Sequence, residues 1–295
     1  MTRRILSLLL ALATLVCCFA FTACGNTAKT DISGAKSIAD LKGAKIAAQS
    51  GTFHADALAQ IEEVKSSTYP EFADLLTAVK SGAIDGYIAE EPTALAVCLS
   101  DENLGYLHLV NNSTGFTATD ADTGIAVGLQ KGSALKAQID EVLATITTEQ
   151  RAALMEQMVK LSAGEEIGEL AISCPAPETT TGTLKVAMEC AYEPFNWTDL
   201  NTPTPGAIEI YGENHDVQEG RYCNGYDVQI AQYIANKLGL KLEIYSLEWD
   251  SLVPAVQSGT VDAIVAGMSP TAERAEQIDF SEVYYSSNLV VIYSK

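Results

Sequence analysis

Short, continuous apolar runs alternate with amphipathic segments along most of the chain. The runs "KIAAQ" from Lys45 and "TLKVAM" from Thr183 are typical of strands buried on both faces of a parallel sheet. A helical pattern follows each run, one from about Phe53 and one from about Tyr226, and the second ends at Gly239. This alternation predicts two α/β lobes.

The chain also contains an internal repeat. The stretch "LLTAVKSGAIDGYIAEEPT" from Leu75 resembles "LVPAVQSGTVDAIVAGMSPT" from Leu252, at an offset of 177 residues. Each stretch predicts an amphipathic helix, a glycine that ends it, a short turn and a buried strand. The two lobes are therefore expected to share a similar construction.

Composition and charge exclude some classes of protein. With 295 residues, of which 47% are hydrophobic, the chain has room for about two domains with a substantial core. It has 18 basic and 38 acidic residues, so its net charge is -20. A chain this acidic repels phosphate backbones, which argues against a nucleic-acid partner.

The N-terminal segment has the pattern of a secretory signal. Arg3 and Arg4 precede an apolar run, residues 5–16, that is too short to span a bilayer comfortably. The following "FTAC" resembles the lipobox of bacterial lipoproteins, which implies removal of residues 1–23 and attachment of lipid to Cys24. An uncleaved membrane anchor is the alternative.

The cysteines and histidines show no metal-binding pattern. There is no CxxC pair, and the histidines at 54, 108 and 215 lack ligand spacing, so we expect no metal and no cofactor. An exported protein can form disulfides, and Cys190 with Cys223 is a candidate pair that the sequence does not decide.

The turns that follow the predicted strands are the expected ligand-binding positions, because open α/β sheets bind ligands at the carboxyl ends of their strands. Two similar lobes that present such turns to each other would form a cleft. Closure of this cleft about a hinge would capture a small molecule.

Several motifs resemble the solute-binding proteins of amino-acid ABC importers, which have the two-lobed α/β fold called periplasmic-binding-protein type II. "LKVAMECAYEPFNW", "GYDVQIAQYIANKLGLKLEIYSLEWDSLVPAVQSGTVDAIVAGMSPTAER" and "IDFSEVYYSSNLVV" look like the first lobe of that family. "SIADLKGAKIAAQSGT" and "VKSGAIDGYIAEEP" look like the second. The resemblance implies a monomeric extracytoplasmic binding protein that is not an enzyme. Its partners would be a free amino acid, the permease subunits of an importer and the membrane. The sequence does not distinguish a location at the cell surface from one in the periplasm.

The lobes follow in the reverse of the family's order, so the chain looks circularly permuted. The predicted organisation is a signal peptide at 1–23, a lipid-anchored spacer at 24–35, lobe 2 at 36–120, a strand and helices that pack on lobe 1 at 121–162, a linker at 163–182 and lobe 1 at 183–295. This order leaves one covalent crossing between the lobes, near Asp120 to Gly124, and predicts a looser hinge than the family's. A gene-model artefact or a fragment of a tandem gene is the alternative.

The carboxylate of an amino acid requires hydrogen-bond donors. Arg274 would supply a bidentate guanidinium, as the resembled family does at the matching position. Ser269 and Thr271 would add donors at a helix N-terminus. From the facing lobe, further N–H donors would come from a strand-to-helix turn made of Ser50, Gly51 and Thr52.

The ammonium group requires acceptors, and the resemblance assigns this role to Glu90, which follows a strand of lobe 2. Glu91 is the competing residue. The carbonyl oxygen of Gly267 is a second predicted acceptor. Glu189 lies where some relatives use an acid on the ammonium group or on the side chain.

Three aromatic residues are predicted to line the side-chain pocket: Tyr192, Trp249 and Phe195. The acidic neighbours favour a polar or cationic amino acid. The segment between Asn196 and Asn224 reads as a loop insertion that could cover the cleft.

Two other classes of function remain open at this point. The same fold hosts dehydratases, and an acid pair such as Glu90 and Glu189 could in principle perform acid–base chemistry. No Ser-His-Asp order or phosphate loop is visible. A ligand-sensing module is the third alternative.

Overall fold

Three β-sheets organise the part of the chain that the structure describes. The structure is a computed structural model that describes residues 29–212 and 216–295. Residues 31–295 form one compact unit.

The first strands in chain order are β1 (Ile46–Gln49), β2 (Ser67–Tyr69), β3 (Gly86–Glu90), β4 (Leu104–Leu107), β5 (Gly124–Ile125), β6 (Gly128–Leu129), β7 (Thr183–Met188) and β8 (Ala191–Tyr192). The strands that follow are β9 (Asn196–Leu200), β10 (Ile208–Tyr211), β11 (Val217–Asn224), β12 (Lys241–Ser246), β13 (Ala263–Ile264), β14 (Asp279–Phe280), β15 (Tyr285–Ser286) and β16 (Leu289–Ser294).

The α-helices are α1 (Phe53–Ala57), α2 (Phe72–Ser81), α3 (Glu91–Ser100), α4 (Asp120–Thr123), α5 (Leu135–Leu143), α6 (Thr148–Ser162), α7 (Tyr226–Leu238), α8 (Trp249–Ser258) and α9 (Ala272–Gln277). Short 3-10 helices cover Ile38–Leu41 and Leu58–Gln60.

The two large sheets share one topology. The sheet of lobe 2 has the order β2-β1-β3-β16-β4, in which β1, β2 and β3 are parallel and β16 is antiparallel to its neighbours. The sheet of lobe 1 contains the same arrangement as β12-β7-β13-β6-β14, with β6 antiparallel. The predicted fold class, a two-lobed α/β fold of the type II periplasmic-binding-protein kind, is confirmed.

The internal repeat lies at equivalent places in the two sheets. Asp85 Oδ2 accepts a 2.8 Å hydrogen bond from the backbone N–H of Lys45, and Asp262 Oδ2 accepts one of 2.9 Å from that of Lys185. Each aspartate thereby ties the start of its own strand to the start of the neighbouring parallel strand. This shared role gives a physical reason for the aspartate in both copies.

The C-terminal boundary of lobe 1 is corrected by the sheet pairing. We expected residues 183–295 to form lobe 1, but β16 pairs with β3 and β4 in lobe 2, with Val291 between Ile88 and Leu107. An apolar run pairs with whichever sheet offers it an open edge, and its composition does not say which sheet that is.

The expected single crossing between the lobes is also wrong. The chain passes from lobe 2 to lobe 1 through α4 and β5, and returns through β15 to β16. The two crossing strands pair antiparallel, with Tyr285 opposite Ile125 and Ser286 opposite Gly124. Because both crossings are covalent and hydrogen-bonded to each other, the basis for a looser hinge is lost.

The described part of the segment between Asn196 and Asn224, residues 196–212 and 216–224, contributes three strands to the sheet of lobe 1, and the expectation of a loop that covers the cleft is wrong. Strands β9, β10 and β11 extend that sheet beyond β12, with β11 antiparallel to both β9 and β10. Alternating burial along β11 fits a strand with one covered face.

Some predictions fall outside the described residues. They are the signal peptide at 1–23, the lipidated Cys24 and the first part of the spacer. Within residues 29–212 and 216–295, no helix has the length and apolar character needed to cross a membrane.

Candidate functional site

Residues from both lobes enclose a small cavity at the carboxyl ends of β1, β3, β7 and β13. Its volume is about 20 Å³, which is room for about one water molecule. The lining residues are Gln49, Thr52, Phe53, His54, Phe72 and Glu90 from lobe 2, and Tyr192, Trp249, Ala266, Gly267, Ser269 and Arg274 from lobe 1. A wider groove of about 370 Å³ adjoins the cavity and shares Thr52, Phe53, Trp249 and Arg274 with it.

The predicted site residues are distributed over these two spaces. Those that line the cavity are Thr52, Glu90, Tyr192, Trp249, Gly267, Ser269 and Arg274. Gly51 and Thr271 line the groove. Ser50, Glu189 and Phe195 line neither of these two spaces.

Arg274 spans the cleft. It lies near the start of α9, where the Thr271 hydroxyl accepts a hydrogen bond from its backbone N–H. Its Nη1 donates to the carbonyl oxygen of Ser269 at 3.0 Å, and its Nη2 donates across the cleft to that of Gly51 at 2.7 Å. The guanidinium also stands 5.1 Å from the centre of the Trp249 ring. Stacking on Trp249 and these hydrogen bonds hold the Arg274 guanidinium at the cavity wall.

Glu90 forms a buried pair with a histidine that we did not predict. Glu90 is the last residue of β3, and its Oε1 lies 3.0 Å from Nε2 of His54 on α1. Glu90 Oε2 and His54 Nδ1 are buried with no hydrogen-bond partner among the described residues. Buried polar atoms are normally paired, so these two atoms mark a place where a polar ligand would bind.

Aromatic rings form one wall of the cavity. The ring of Tyr192, from lobe 1, stacks on that of Phe72, from lobe 2, with centroids 3.9 Å apart. Phe195 stacks behind Tyr192 at 5.0 Å and is fully buried. Phe195 therefore supports Tyr192 and does not contact the cavity, which corrects its predicted role as a ligand contact.

Glu189 lies beside the cavity, at the end of β7. Gln49 Nε2 donates across the cleft to Glu189 Oε1 at 2.9 Å, while Oε2 is buried with no partner among the described residues. Burial raises the pKa of the Glu189 carboxyl to about 7. The negative charges of Glu71, Glu248 and Asp250 add to this rise, against the lowering effect of Gln49.

A buried network shapes the turn at Gly267. Asp227 accepts hydrogen bonds from the Tyr284 hydroxyl at 2.7 Å and from Asn196 Nδ2 at 2.9 Å, and the backbone N–H of Gly267 also donates to it. Burial raises the pKa of Asp227 to about 7. This network connects the turn after β13 to the crossing segment near β15.

The other predicted residues have local roles. Ser50 donates through its N–H and its hydroxyl to the carbonyl oxygen of Tyr69, so this hydroxyl is engaged away from the cavity. Glu91, the competitor of Glu90, is half-buried outside the cavity and receives a long, 3.5 Å hydrogen bond from Asn288.

Sequence reasoning missed five of the residues that line the cavity. One is Ala266 of lobe 1, and the other four, all from lobe 2, are Gln49, Phe53, His54 and Phe72. Gln49 ends β1, and the other three stand at the starts of α1 and α2. Their position directly after strands of lobe 2 was the available signal. The direction of each side chain depends on how the lobes meet.

The candidate cysteine pair and possible metal-binding groups can be assessed in the described part of the chain. Cys190 and Cys223 are buried free thiols. No group of three His, Cys, Asp or Glu residues in residues 29–212 and 216–295 is arranged to hold a metal ion.

Comparison with known proteins finds a family model and several similar proteins, each of which matches only part of this chain. The model of the bacterial extracellular solute-binding proteins, family 3, matches residues 214–295. The arginine-binding extracellular protein ArtP of Bacillus subtilis is 39% identical over 80 residues, which cover 27% of this chain and 31% of ArtP. The L-cystine-binding protein TcyA of the same organism is 31% identical over 114 residues, which cover 39% of this chain and 35% of TcyA.

Among solved structures, the ancestral amino acid-binding protein AncCDT-1, described as a precursor of cyclohexadienyl dehydratase, is 31% identical. The match covers 34% of this chain and 36% of that one, with a TM-score of 0.26. The chain spans about a third of the length of the curated relatives that it matches. Residues 214–295, less than half of this chain, are thus similar to the bacterial extracellular solute-binding proteins, family 3.

Proposed function

We propose that this protein captures a free amino acid between its two lobes, outside the cytoplasm, and delivers it to the permease subunits of an ABC importer as a monomer. The observation that carries the proposal is that Arg274 of lobe 1 and Glu90 of lobe 2 line the same cavity. The two side chains have opposite charges, as the two charged groups of a zwitterion require.

Unpaired polar atoms support the same proposal. Among the described residues, four buried side-chain atoms have no hydrogen-bond partner: His54 Nδ1, Glu90 Oε2, Glu189 Oε2 and the Tyr192 hydroxyl. His54, Glu90 and Tyr192 line the cavity, and Glu189 is joined to the lining residue Gln49. An unpaired buried polar group costs about 1–3 kcal/mol, which a polar ligand would recover.

The proposed side chain of the ligand is cationic. Glu189 is surrounded by the charges of Glu71, Glu248 and Asp250, which favour a positive group beside it. The relative ArtP is named for arginine binding, whereas TcyA is named for L-cystine. A cationic side chain would fit the acidic surroundings better than a neutral one.

Capture requires the lobes to open. A cavity of about 20 Å³ does not admit an amino acid, so the described arrangement corresponds to a closed cleft. Across the cleft, Phe72 stacks on Tyr192, and the Thr93 hydroxyl donates to the carbonyl oxygen of Glu193 at 2.9 Å. The paired crossing strands β5 and β15 are the proposed hinge.

A thermal-shift screen of the twenty amino acids tests the proposed function. At a concentration of 100 Kd, binding to the folded state alone adds about 2.7 kcal/mol to the free energy of unfolding, which raises the Tm by several degrees. The bound amino acid should be recovered unchanged after long incubation. No shift with any amino acid contradicts the proposal, and recovery of a converted product favours an enzyme.

We also propose that lipid on Cys24 anchors the protein to the bacterial cell membrane. The support is the signal-like run and the "FTAC" motif that ends at Cys24. Cells that express Cys24→Ala should release the protein from the membrane fraction, while Cys98→Ala, a change in the folded part, should leave it there. Equal membrane retention of both variants contradicts the anchor.

The circularly permuted order of the lobes is a further part of this proposal. Its support is that the family model matches residues 214–295, which follow the lobe 2 strands β1 to β4 in the chain. A rearranged chain, residues 183–295 followed directly by 31–162, should fold and bind the same amino acid. Ile32 and the backbone of Ile292 both approach Gly86, which makes the new junction short. An insoluble rearranged chain would count against the permuted order.

A further inference from the structure

His54 is the histidine among the described residues that line the cavity, and it forms a buried pair with Glu90. It is 6% exposed and lies beside Glu90, which is 4% exposed. Its Nε2 is 3.0 Å from Glu90 Oε1, and the edge of its ring meets Phe72 at 5.9 Å between centroids. The opposite ring atom, Nδ1, is buried and has no partner among the described residues.

The charge of this pair depends on what occupies the cavity. A buried carboxylate is costly unless a positive group pairs with it, and protonated His54 can provide that group for Glu90 in the absence of ligand. The ammonium group of an amino acid would bring a second positive charge to the same carboxylate. Two cations on one buried anion leave an uncompensated charge, so one proton should be expelled.

The proton that leaves should be that of the histidine, because amines ordinarily titrate well above imidazole. Neutral His54 can keep its Nε2–H and continue to donate to Glu90 Oε1. Glu90 Oε2, which has no partner among the described residues, is then available to the ammonium group. The hydrogen bond from His54 orients the carboxylate in both states.

We propose that His54 is a positioning residue of the binding site that exchanges its proton for the amino group of the ligand. The inference rests on the proposed capture of amino acids. Each capture then releases a proton from His54, and affinity rises with pH through the range in which histidines titrate. A ligand without a cationic amine cannot displace this proton, so the exchange also selects for amines.

Other charged groups surround the pair and could exchange protons as well. Arg274 and Tyr192 face the pair across the cavity, and Asp56 lies on the same helix as His54. Glu189 lies behind Gln49, and Asp227 is near enough for its charge to interact with that of Glu90. Burial raises the pKa values of both Glu189 and Asp227 to about 7. A cationic side chain could therefore also draw a proton from Glu189, and the experiment must separate the two sources.

The test is calorimetric titration with L-arginine between pH 5 and 8, in buffers with different ionisation enthalpies. The wild type should release a proton, and its affinity should rise up to about tenfold per pH unit in the acidic range, the limit for one proton. Glu189→Gln should retain the part of this release that comes from His54. His54→Gln, which keeps an amide donor for Glu90 but cannot titrate, should lose it.

His108→Gln is the matched control, because His108 is exposed and lies outside the cavity. This variant should show the same proton release and the same pH dependence of affinity as the wild type. The same pH slope in His54→Gln and in the wild type overturns the inference, as does binding of L-arginine to the wild type without proton release.

A measurement on the wild type covers the case in which His54→Gln does not fold. Nitrogen-15 spectra of the histidine rings, with His54 identified by elimination through His108→Gln and His215→Gln, report the protonation of Nδ1. On saturation with L-arginine at pH 6, the His54 Nδ1 signal should move from the protonated to the unprotonated position. An unchanged signal overturns the inference alone, whereas the absence of binding by L-arginine and by the other nineteen amino acids overturns the proposed function with it.

Discussion

The Nη2 atom of Arg274 donates a 2.7 Å hydrogen bond to the carbonyl oxygen of Gly51, which belongs to the opposite lobe. The residue proposed to bind the ligand carboxylate is therefore also a contact that closes the cleft. A carboxylate would offer this guanidinium a stronger, charge-assisted acceptor than a carbonyl oxygen. Exchange of one acceptor for the other would couple binding to the position of the lobes.

Arg274→Ala should abolish the thermal response to amino acids. Loss of one partner of a buried charge pair costs about 2–5 kcal/mol, which weakens binding by at least about 30-fold. Arg274→Lys should recover only part of the affinity, because an ammonium group cannot form the bidentate contact. Arg221→Ala, a change at an exposed arginine, is the control. A normal thermal shift in Arg274→Ala would show that the carboxylate binds elsewhere.

Glu90→Gln should weaken amino-acid binding by a similar factor while preserving the shape of the side chain. The amide removes the negative charge that the ammonium group requires, with loss of about 2–5 kcal/mol. Glu91→Gln is a matched control, because it makes the same change at the adjacent residue outside the cavity. The measurement is calorimetric affinity at pH 8. Equal loss in both variants would contradict the assignment of Glu90 as the acceptor.

Gly51→Ala should weaken ligand binding by hindering closure. Gly51 has φ +69°, and an added Cβ would lie 3.2 Å from Asp250 Oδ1 and 3.4 Å from Trp249 Nε1 in the opposite lobe. A crowded contact that costs about 1 kcal/mol reduces affinity about fivefold. Small-angle scattering with ligand should show a more open average shape than in the wild type.

Gly43→Ala separates backbone strain from crowding. Gly43 has a similar φ of +73°, but an added Cβ would meet no atom within 4 Å. Both alanine variants should lose about 1 kcal/mol of stability from the left-handed backbone, and only Gly51→Ala should lose affinity. Equal affinity losses would indicate that strain alone is responsible.

Glu189→Gln should change the pH dependence of stability. Burial raises the pKa of this carboxyl from the ordinary 4.5 to about 7, so the folded state holds a proton that the unfolded state has lost between these pH values. The contribution of Glu189 to stability is therefore full below about pH 4.5 and is lost as the pH rises through about 7. The total loss is on the order of 3 kcal/mol.

The glutamine variant cannot ionise, so it should gain stability relative to the wild type as the pH rises from 4 to 8. Urea unfolding at several pH values measures this difference. A constant difference between the two proteins across this range would show that Glu189 is ionised in the folded state.

Much of the architecture followed from local pattern. Continuous apolar runs separated by glycine-capped amphipathic helices indicated parallel strands with covering helices, and the repeat indicated two lobes of one construction. Asp85 and Asp262 occupy equivalent positions in the two copies of the repeat and have the same role. Each accepts a hydrogen bond from a backbone N–H of the neighbouring strand, which explains why both copies have an aspartate there. Arg274 and Glu90 could be named because the motifs around them resemble those of a known family of solute-binding proteins.

The sequence by itself determined the elements and the two lobes, since helix and strand periods and capping signals act over a few residues. The charged pair expected in the cleft came from the resemblance of its motifs to those of a known family. Only the tertiary structure decided that β16 joins the sheet of lobe 2, that a second crossing pairs with the first, and that His54 meets Glu90. Phe195 shows the same limit, because its position behind Tyr192 depends on how the strands stack. Contacts between residues that are distant in the chain depend on which edges and faces remain open after local folding, and local pattern carries no such information.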